Sequence, residues 1–242
     1  MLLAWLLVFG IGLGAGTLAG IIGFGGSTIL LPVLTLVFGP KAAVPIMAIA
    51  ALLGNLSRVM VWWREIRWSA AFAYSATAIP MAWAGARTMV ALDPTVLELF
   101  LGVFFIAMIP LRRWLERRGF SVGLPGLALA GAVVGYLTGI VANTGPVNTP
   151  FFLAHGLVRG AFVGTEAMSS LSMFSSKVLA FRTFGALPTE LILNGVIVGV
   201  SLMIGAYLAK RFMRRISASA FHGLMDGLLL VTGLAMIIGA LA

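Results

Sequence analysis

No cysteine occurs in the chain, and charge is scarce: only 10% of its 242 residues are Asp, Glu, Lys or Arg. The first absence removes disulfide scaffolds and every zinc or iron–sulfur site built on thiolates. The second removes a water-soluble globule, for which roughly 25% charged residues are usual. Seven acidic residues and two histidines are too scattered to form the carboxylate cluster of a metal-dependent phosphoryl-transfer enzyme. The low hydrophobicity of a disordered chain is missing too. Instead, 61% of the residues are hydrophobic and the mean hydropathy is +1.10. What remains is an all-α polytopic membrane protein with short loops.

The formal net charge of +9 does not point to nucleic acid, because most of the 16 basic residues sit in short clusters between apolar runs. Such clusters set membrane topology and touch anionic lipid. The stretch Met1–Gly10 is apolar with no basic residue ahead of it. It therefore reads as a first span rather than a cleaved signal peptide.

A spanning helix needs about 20 apolar residues. Runs of that kind fall at 2–22, 42–63, 69–90, 95–111, 122–142, 160–181, 189–208 and 217–241. Two further apolar pieces, 27–38 and 146–157, are too short to cross alone. Each follows a helix-breaking stretch, Gly23-Phe24-Gly25-Gly26 in one case and Asn143-Thr144-Gly145-Pro146 in the other.

The two breaks recur in register. A shift of 119 residues places Gly12, Gly16 and Gly20 on Gly131, Gly135 and Gly139, and Gly26 on Gly145. It also places Ser57 on Ser176 and Arg58 on Lys177. Window 12–62 matches window 131–181 at 13 of 51 positions. Compositional bias alone would not produce both the glycine ladder and the paired cations. The chain therefore divides into two transmembrane repeats, 1–116 and 120–242, joined by the basic linker Arg112–Arg118. Each is expected to hold four long transmembrane helices plus one short, broken or re-entrant helix. With five segments per half, 11 of the 16 basic residues collect on one side of the membrane, in accord with the positive-inside bias. An odd number makes the repeats inverted relative to one another. Trp62, Trp63, Trp68 and Trp114 border the basic loops, where interfacial aromatic belts sit.

Inverted repeats that each interrupt a helix at the same place point to a secondary transporter. Broken backbone is tolerated in a membrane only where protein or a watery cavity satisfies it, and helix N-termini suit an anion. Gly23, Gly25 and Gly26, with Ser27, let a solute approach the main chain in the first break. Asn143, Thr144, Gly145 and Asn148 occupy the same place in the second. Arg58 and Lys177 are the ionic candidates, weighed against simple snorkelling to the headgroups. Asn55 lies one turn before Arg58, and Ser176 directly precedes Lys177. The Gly12/16/20 ladder reads as helix packing rather than binding. Segment 160–181 is rich in Ser and Thr and holds Glu166, read either as a coupling proton site or as a carboxylate paired with Arg159 or another cation. Asp226, in the last span, invites a basic partner or a backbone donor. His155 and His222 are isolated, and His155 reads as a loop residue.

The stretch Gly12-x3-Gly16-x3-Gly20-Ile21-Ile22-Gly23-Phe24-Gly25-Gly26-Ser27, followed by Leu31-Pro32-Val33-Leu34, resembles the signature of the TauE/SafE family of sulfite exporters. The likeness extends over the length, the duplicated halves and the central basic linker. It implies transport of small sulfur-containing anions, such as sulfite or sulfonates, across the cytoplasmic (inner) membrane of a bacterium or archaeon. The second copy departs from the pattern, with Asn143 and Asn148 where bare backbone would be expected. An anion channel remains an alternative, and an intramembrane enzyme a weaker one, since Ser27 and the two histidines share no spacing. The expected partners are the anion, protons as coupling ion, and lipid, with no cofactor and no metal.

Overall fold

The computed structural model describes residues 2–22, 26–117, 121–141 and 144–212, together with 226–227, 230–231, 233–234, 236–238 and 240–241. Its elements are α1 (Leu2–Ile22), α2 (Gly26–Phe38), α3 (Pro40–Trp62), a 3-10 turn at Trp63–Glu65, α4 (Trp68–Ala91), α5 (Pro94–Arg117), α6 (Leu124–Ile140), α7 (Gly145–Ala154), α8 (Arg159–Thr183) and α9 (Thr189–Phe212). No strand occurs among the described residues. Seven of these helices fall on the long runs expected from the sequence, and α2 and α7 on the two short ones. The eighth run, 217–241, lies largely outside the described residues; those within it from 226 onward are helical.

Local chemistry explains the boundaries. Pro40 occupies the first turn of α3, where a missing N–H costs nothing. Gly39 has φ of 77°, a conformation that disfavours any side chain. Its N–H closes the end of α2 on the Thr35 carbonyl at 2.9 Å, while its own carbonyl receives Ala43 N–H at 3.0 Å. The chain thus turns from α2 into α3 within one residue. In the second half, α6 stops at an extended Val141, and Pro146 lies in the first turn of α7. At about 1.5 Å per residue, the 13 residues of α2 and the 10 of α7 fall well short of a hydrocarbon layer about 30 Å thick.

Among the described residues, three helices are long and apolar enough to cross a membrane: Pro40–Glu65, Pro94–Leu111 and Thr189–Leu208. Leu7–Ala19 and Leu124–Ile140 are shorter apolar stretches. Helices α4 and α8 have the length without the uniform apolarity. Both are screened by protein, α4 against α6 and α8, and α8 against α3 and α4. Leu36, Met60, Phe72, Leu129, Leu179, Tyr207 and Ile238 are among the large side chains left exposed, an outer surface suited to lipid.

The most extensive helix pairings are α4 with α6 and α1 with α9, followed by α3 with α9, α3 with α8 and α4 with α8. Glycines lie at the first two of these crossings. Gly131, Gly135 and Gly139 lie against the backbone of α4 at Tyr74, Ala78 and Ala82, and Gly85 of α4 lies against Gly139. On the other side, Gly16 of α1 meets Leu202 of α9, and Gly205 of α9 meets Gly16. The ladder is thus a packing device, because backbones this close leave no room for Cβ atoms. Gly102 of α5 meets Gly233 in the last helical stretch, which Arg113 also reaches through an ion pair to Asp226 at 2.7 Å. That pair answers the sequence's expectation of a basic partner for Asp226.

A Cβ at Gly139 would lie 2.6 Å from the Ala82 carbonyl oxygen and 2.6 Å from Gly85 Cα, whereas one at Gly14 would meet nothing within 4 Å. Gly139→Ala is therefore expected to destabilise by about 1–3 kcal/mol, the usual cost of overpacking, and Gly14→Ala to be near neutral. Thermal unfolding of the two variants in detergent checks the contrast; equal melting temperatures would contradict the crossing.

Candidate functional site

A cavity of about 50 Å³ opens where α1, α2, α3, α7, α8 and α9 meet. Its described wall contains Gly16 and Ala19 of α1, Gly26 and Ser27 of α2, and Ala51, Gly54, Asn55 and Arg58 of α3. Gly145 of α7, Glu166, Ser170 and Phe174 of α8, and Leu202 and Ala206 of α9 complete it. At roughly 10–15 Å³ per water, that volume matches a solute of only a few heavy atoms. The first residues of both short helices form part of this wall, so the positive ends of two helix dipoles lie at the cavity.

The cavity's charge is organised by Arg58. Its Nη1 donates to Glu166 Oε2 at 3.0 Å, and its Nη2 donates to Asn55 Oδ1. The Arg58 side chain is 15% exposed and that of Glu166 4%. Asn55, one turn before Arg58, donates its own amide to the Ala51 carbonyl at 2.8 Å, which fixes its oxygen toward the guanidinium. The other Glu166 oxygen, Oε1, accepts from Ser170 Oγ at 2.8 Å and from Asn148 Nδ2 at 3.3 Å. The pair thus bridges the two halves of the chain, α3 against α8, with α7 holding the carboxylate from a third side.

Of the residues singled out by sequence, the structure brings Gly26, Ser27, Asn55, Arg58, Gly145 and Glu166 together in the cavity wall, and Asn148 reaches it through Glu166. Gly23, Gly25 and Asn143 lie outside the described residues. Thr144 precedes α7 as its N-cap and hydrogen-bonds the Thr138 hydroxyl. Lys177 stands apart from the cavity. Fully buried, its ammonium donates to the Val141 carbonyl at 2.7 Å and to the Thr138 carbonyl, at the C-terminal end of α6. Ser176 donates to the Ile79 carbonyl of α4 at 2.8 Å. Glu166 and Lys177, though on one face of α8, serve different places, because 11 residues of helix carry them about 16 Å apart.

Of the serines of α8, only some reach beyond their own helix. Ser169, Ser172 and Ser175 each bond the carbonyl four residues back in their own helix, which satisfies the hydroxyl without any partner outside it. Ser170 was missed as a site residue; its spacing of four from Glu166 was the available signal. Tyr74 carried no sequence signal, yet its buried hydroxyl and Asn148 Oδ1 have no hydrogen-bond partner among the described residues. His155 is a loop residue, its Nδ1 2.7 Å from the Val122 carbonyl, and His222 lies outside the described residues. No group of three or more metal-ligating side chains occurs among the described residues.

Comparison with known proteins fits this arrangement. The family model described as "Sulfite exporter TauE/SafE" matches residues 8–236. No curated protein and no solved structure matches the chain. A basic residue and two short-helix ends gathered around a small cavity, in a helical chain with membrane-crossing segments, accord with a transport family. The chain belongs to the TauE/SafE family of sulfite exporters.

Proposed function

We propose that this protein is a secondary transporter that carries a small sulfur-containing anion, sulfite or a sulfonate, across the inner membrane of a bacterium or archaeon, binding it in the cavity at Arg58. The observation that carries the reading is the junction of Arg58 and Asn55 with the first residues of α2 and α7 in a space of about 50 Å³. A guanidinium presents a fork of donors suited to a planar or pyramidal oxyanion. The helix ends add partial positive charge without further ions. Ser27 adds a hydroxyl donor, while the missing Cβ of Gly26 serves close packing against Ala15 and Ala19 of α1 and Leu202 of α9.

The repeats 1–116 and 120–242 supply the moving parts in this reading, as inverted units that rock about the shared cavity. The reciprocity of the packing supports it. The first helix of each half lies on the fourth helix of the other, α1 on α9 and α6 on α4, and the third helices cross the same way, α3 on α9 and α8 on α4.

Protons are the coupling ion. Glu166 holds Arg58 in the structure, so an entering anion competes with a carboxylate already in place. A proton on Glu166 removes that competitor. The groups that hydrogen-bond the carboxylate are Arg58 from α3, Asn148 from α7 and Ser170 on α8 itself. Anion affinity therefore rises as pH falls.

Two experiments in proteoliposomes test this. Arg58→Met, verified as folded, is expected to lose about 2–5 kcal/mol of anion affinity, or roughly 30-fold and upward, with Arg58→Lys between it and wild type. Wild-type flux of labelled sulfite in Arg58→Met would end the assignment, and saturable counterflow separates a carrier from a channel. The second uses a sulfonate, a strong acid whose own charge does not change with pH. Its binding to the wild type tightens on acidification, while Glu166→Gln binds it tightly and independently of pH. Unaltered pH dependence in that variant would remove Glu166 as the proton site.

A further inference from the structure

Lys177 and Arg58 occupy equivalent positions in the two halves, yet the structure gives them different tasks. Arg58 faces the cavity and a carboxylate. Lys177 is 0% exposed, and no ion pair joins it to an acid among the described residues. Its ammonium lies between the carbonyls of Thr138 and Val141 and over the rings of Phe174 and Phe181, at 5.9 and 5.3 Å from their centroids. Those carbonyls belong to the last turn of α6 and the extended residue after it, the negative end of a helix that stops inside the protein. Thr138 also joins its hydroxyl to that of Thr144, the N-cap of α7. The first half has no counterpart to this hydroxyl pair, since the equivalent positions are Ala19 and Gly25.

We propose that Lys177 is a tethered cation that latches the interrupted helix: its ammonium occupies a site of main-chain carbonyls that would otherwise call for a dissociable monovalent cation, and so fixes the start of α7 against the cavity. Orphan carbonyls at a helix end inside a membrane protein must be satisfied, and a hard-oxygen set of this kind suits either an ammonium or an alkali ion. The ring faces of Phe174 and Phe181 add cation–π contacts to the same ammonium. Because Gly145 lines the cavity and directly follows Thr144, the latch sets where the positive end of α7 stands. Lys177 is thus a positioning residue that does not touch the transported anion.

The test compares wild type, Lys177→Met and Lys177→Ala in sodium, choline and n-propylammonium chloride, reading thermal stability in detergent and sulfite flux in proteoliposomes. Both variants are expected to melt at a lower temperature and to lose about tenfold or more in maximal flux, the scale on which a misplaced binding group acts, with the half-saturating concentration little changed. In Lys177→Ala, propylammonium restores stability and flux, sodium does so in part, and choline, too bulky for the vacated space, does not. If Lys177→Met is not recovered folded, the decisive measurement is the yield of folded Lys177→Ala: higher in propylammonium than in choline supports the latch, and equal yields overturn it. Wild-type stability and flux in Lys177→Met would also overturn it. So would a loss confined to the half-saturating concentration, which would make the ammonium a ligand of the anion. The flux readout rests on the proposed transport of sulfur anions; the stability and yield readouts do not, so a wild type that moves no sulfite would end that reading and leave the latch to be decided by melting.

Discussion

A guanidinium and a carboxylate, both largely buried between helices, have to satisfy one another, and the ion pair of Arg58 with Glu166 sets the terms for everything around it. Desolvating either charge alone would cost several kcal/mol. The surroundings accordingly spend their few polar side chains here: Asn55 on the guanidinium, Ser170 and Asn148 on the carboxylate. Three helices from two halves of the chain are thereby joined at one point. The pair also keeps a cation inside a membrane protein without committing it permanently, since a carboxylate partner is replaceable by another anion in a way that a covalent or carbonyl partner is not. In the proposed function, that replaceability lets an entering anion take the carboxylate's place.

The equivalent lysine shows the alternative solution to the same problem. Backbone carbonyls cannot leave, and they carry only partial charge, so a cation held by them serves structure better than exchange. A shift of 119 residues aligns the two cations in sequence, and the partners that packing supplies to each differ. Where α8 offers Glu166, Arg58 faces the cavity. Where α3 offers Met47 at the corresponding place, no acid among the described residues pairs with Lys177, and carbonyls at the end of α6 receive its ammonium instead.

Close helix packing makes both arrangements affordable in space. With no Cβ on Gly16, Gly139 or Gly205, α1 lies on α9 and α6 on α4 at backbone contact, and each short helix is held beside a neighbour that cannot recede. Without a hydrophobic driving force between apolar helices in lipid, such contacts, together with buried polar links, carry the association. The exposed large side chains of the outer surface then need no protein partner.

Composition and hydropathy determined the class of this protein, because a chain with so little charge has no other solvent than lipid. The spacing of glycines, prolines and apolar runs determined where helices begin, stop and repeat, since those are local properties of the backbone: α2, α7 and the Pro40 and Pro146 starts are written in adjacent residues. Arg58 with Asn55 was legible as a pair because one helical turn separates them. What only the tertiary structure decided is which distant groups meet. Glu166 lies 108 residues from Arg58, Thr138 lies 39 from Lys177, and nothing local distinguishes a serine that bonds its own helix from one that reaches a carboxylate. The fate of a buried charge depends on the partner that packing brings within 3 Å of it, and that distance is a property of the assembled bundle rather than of any segment.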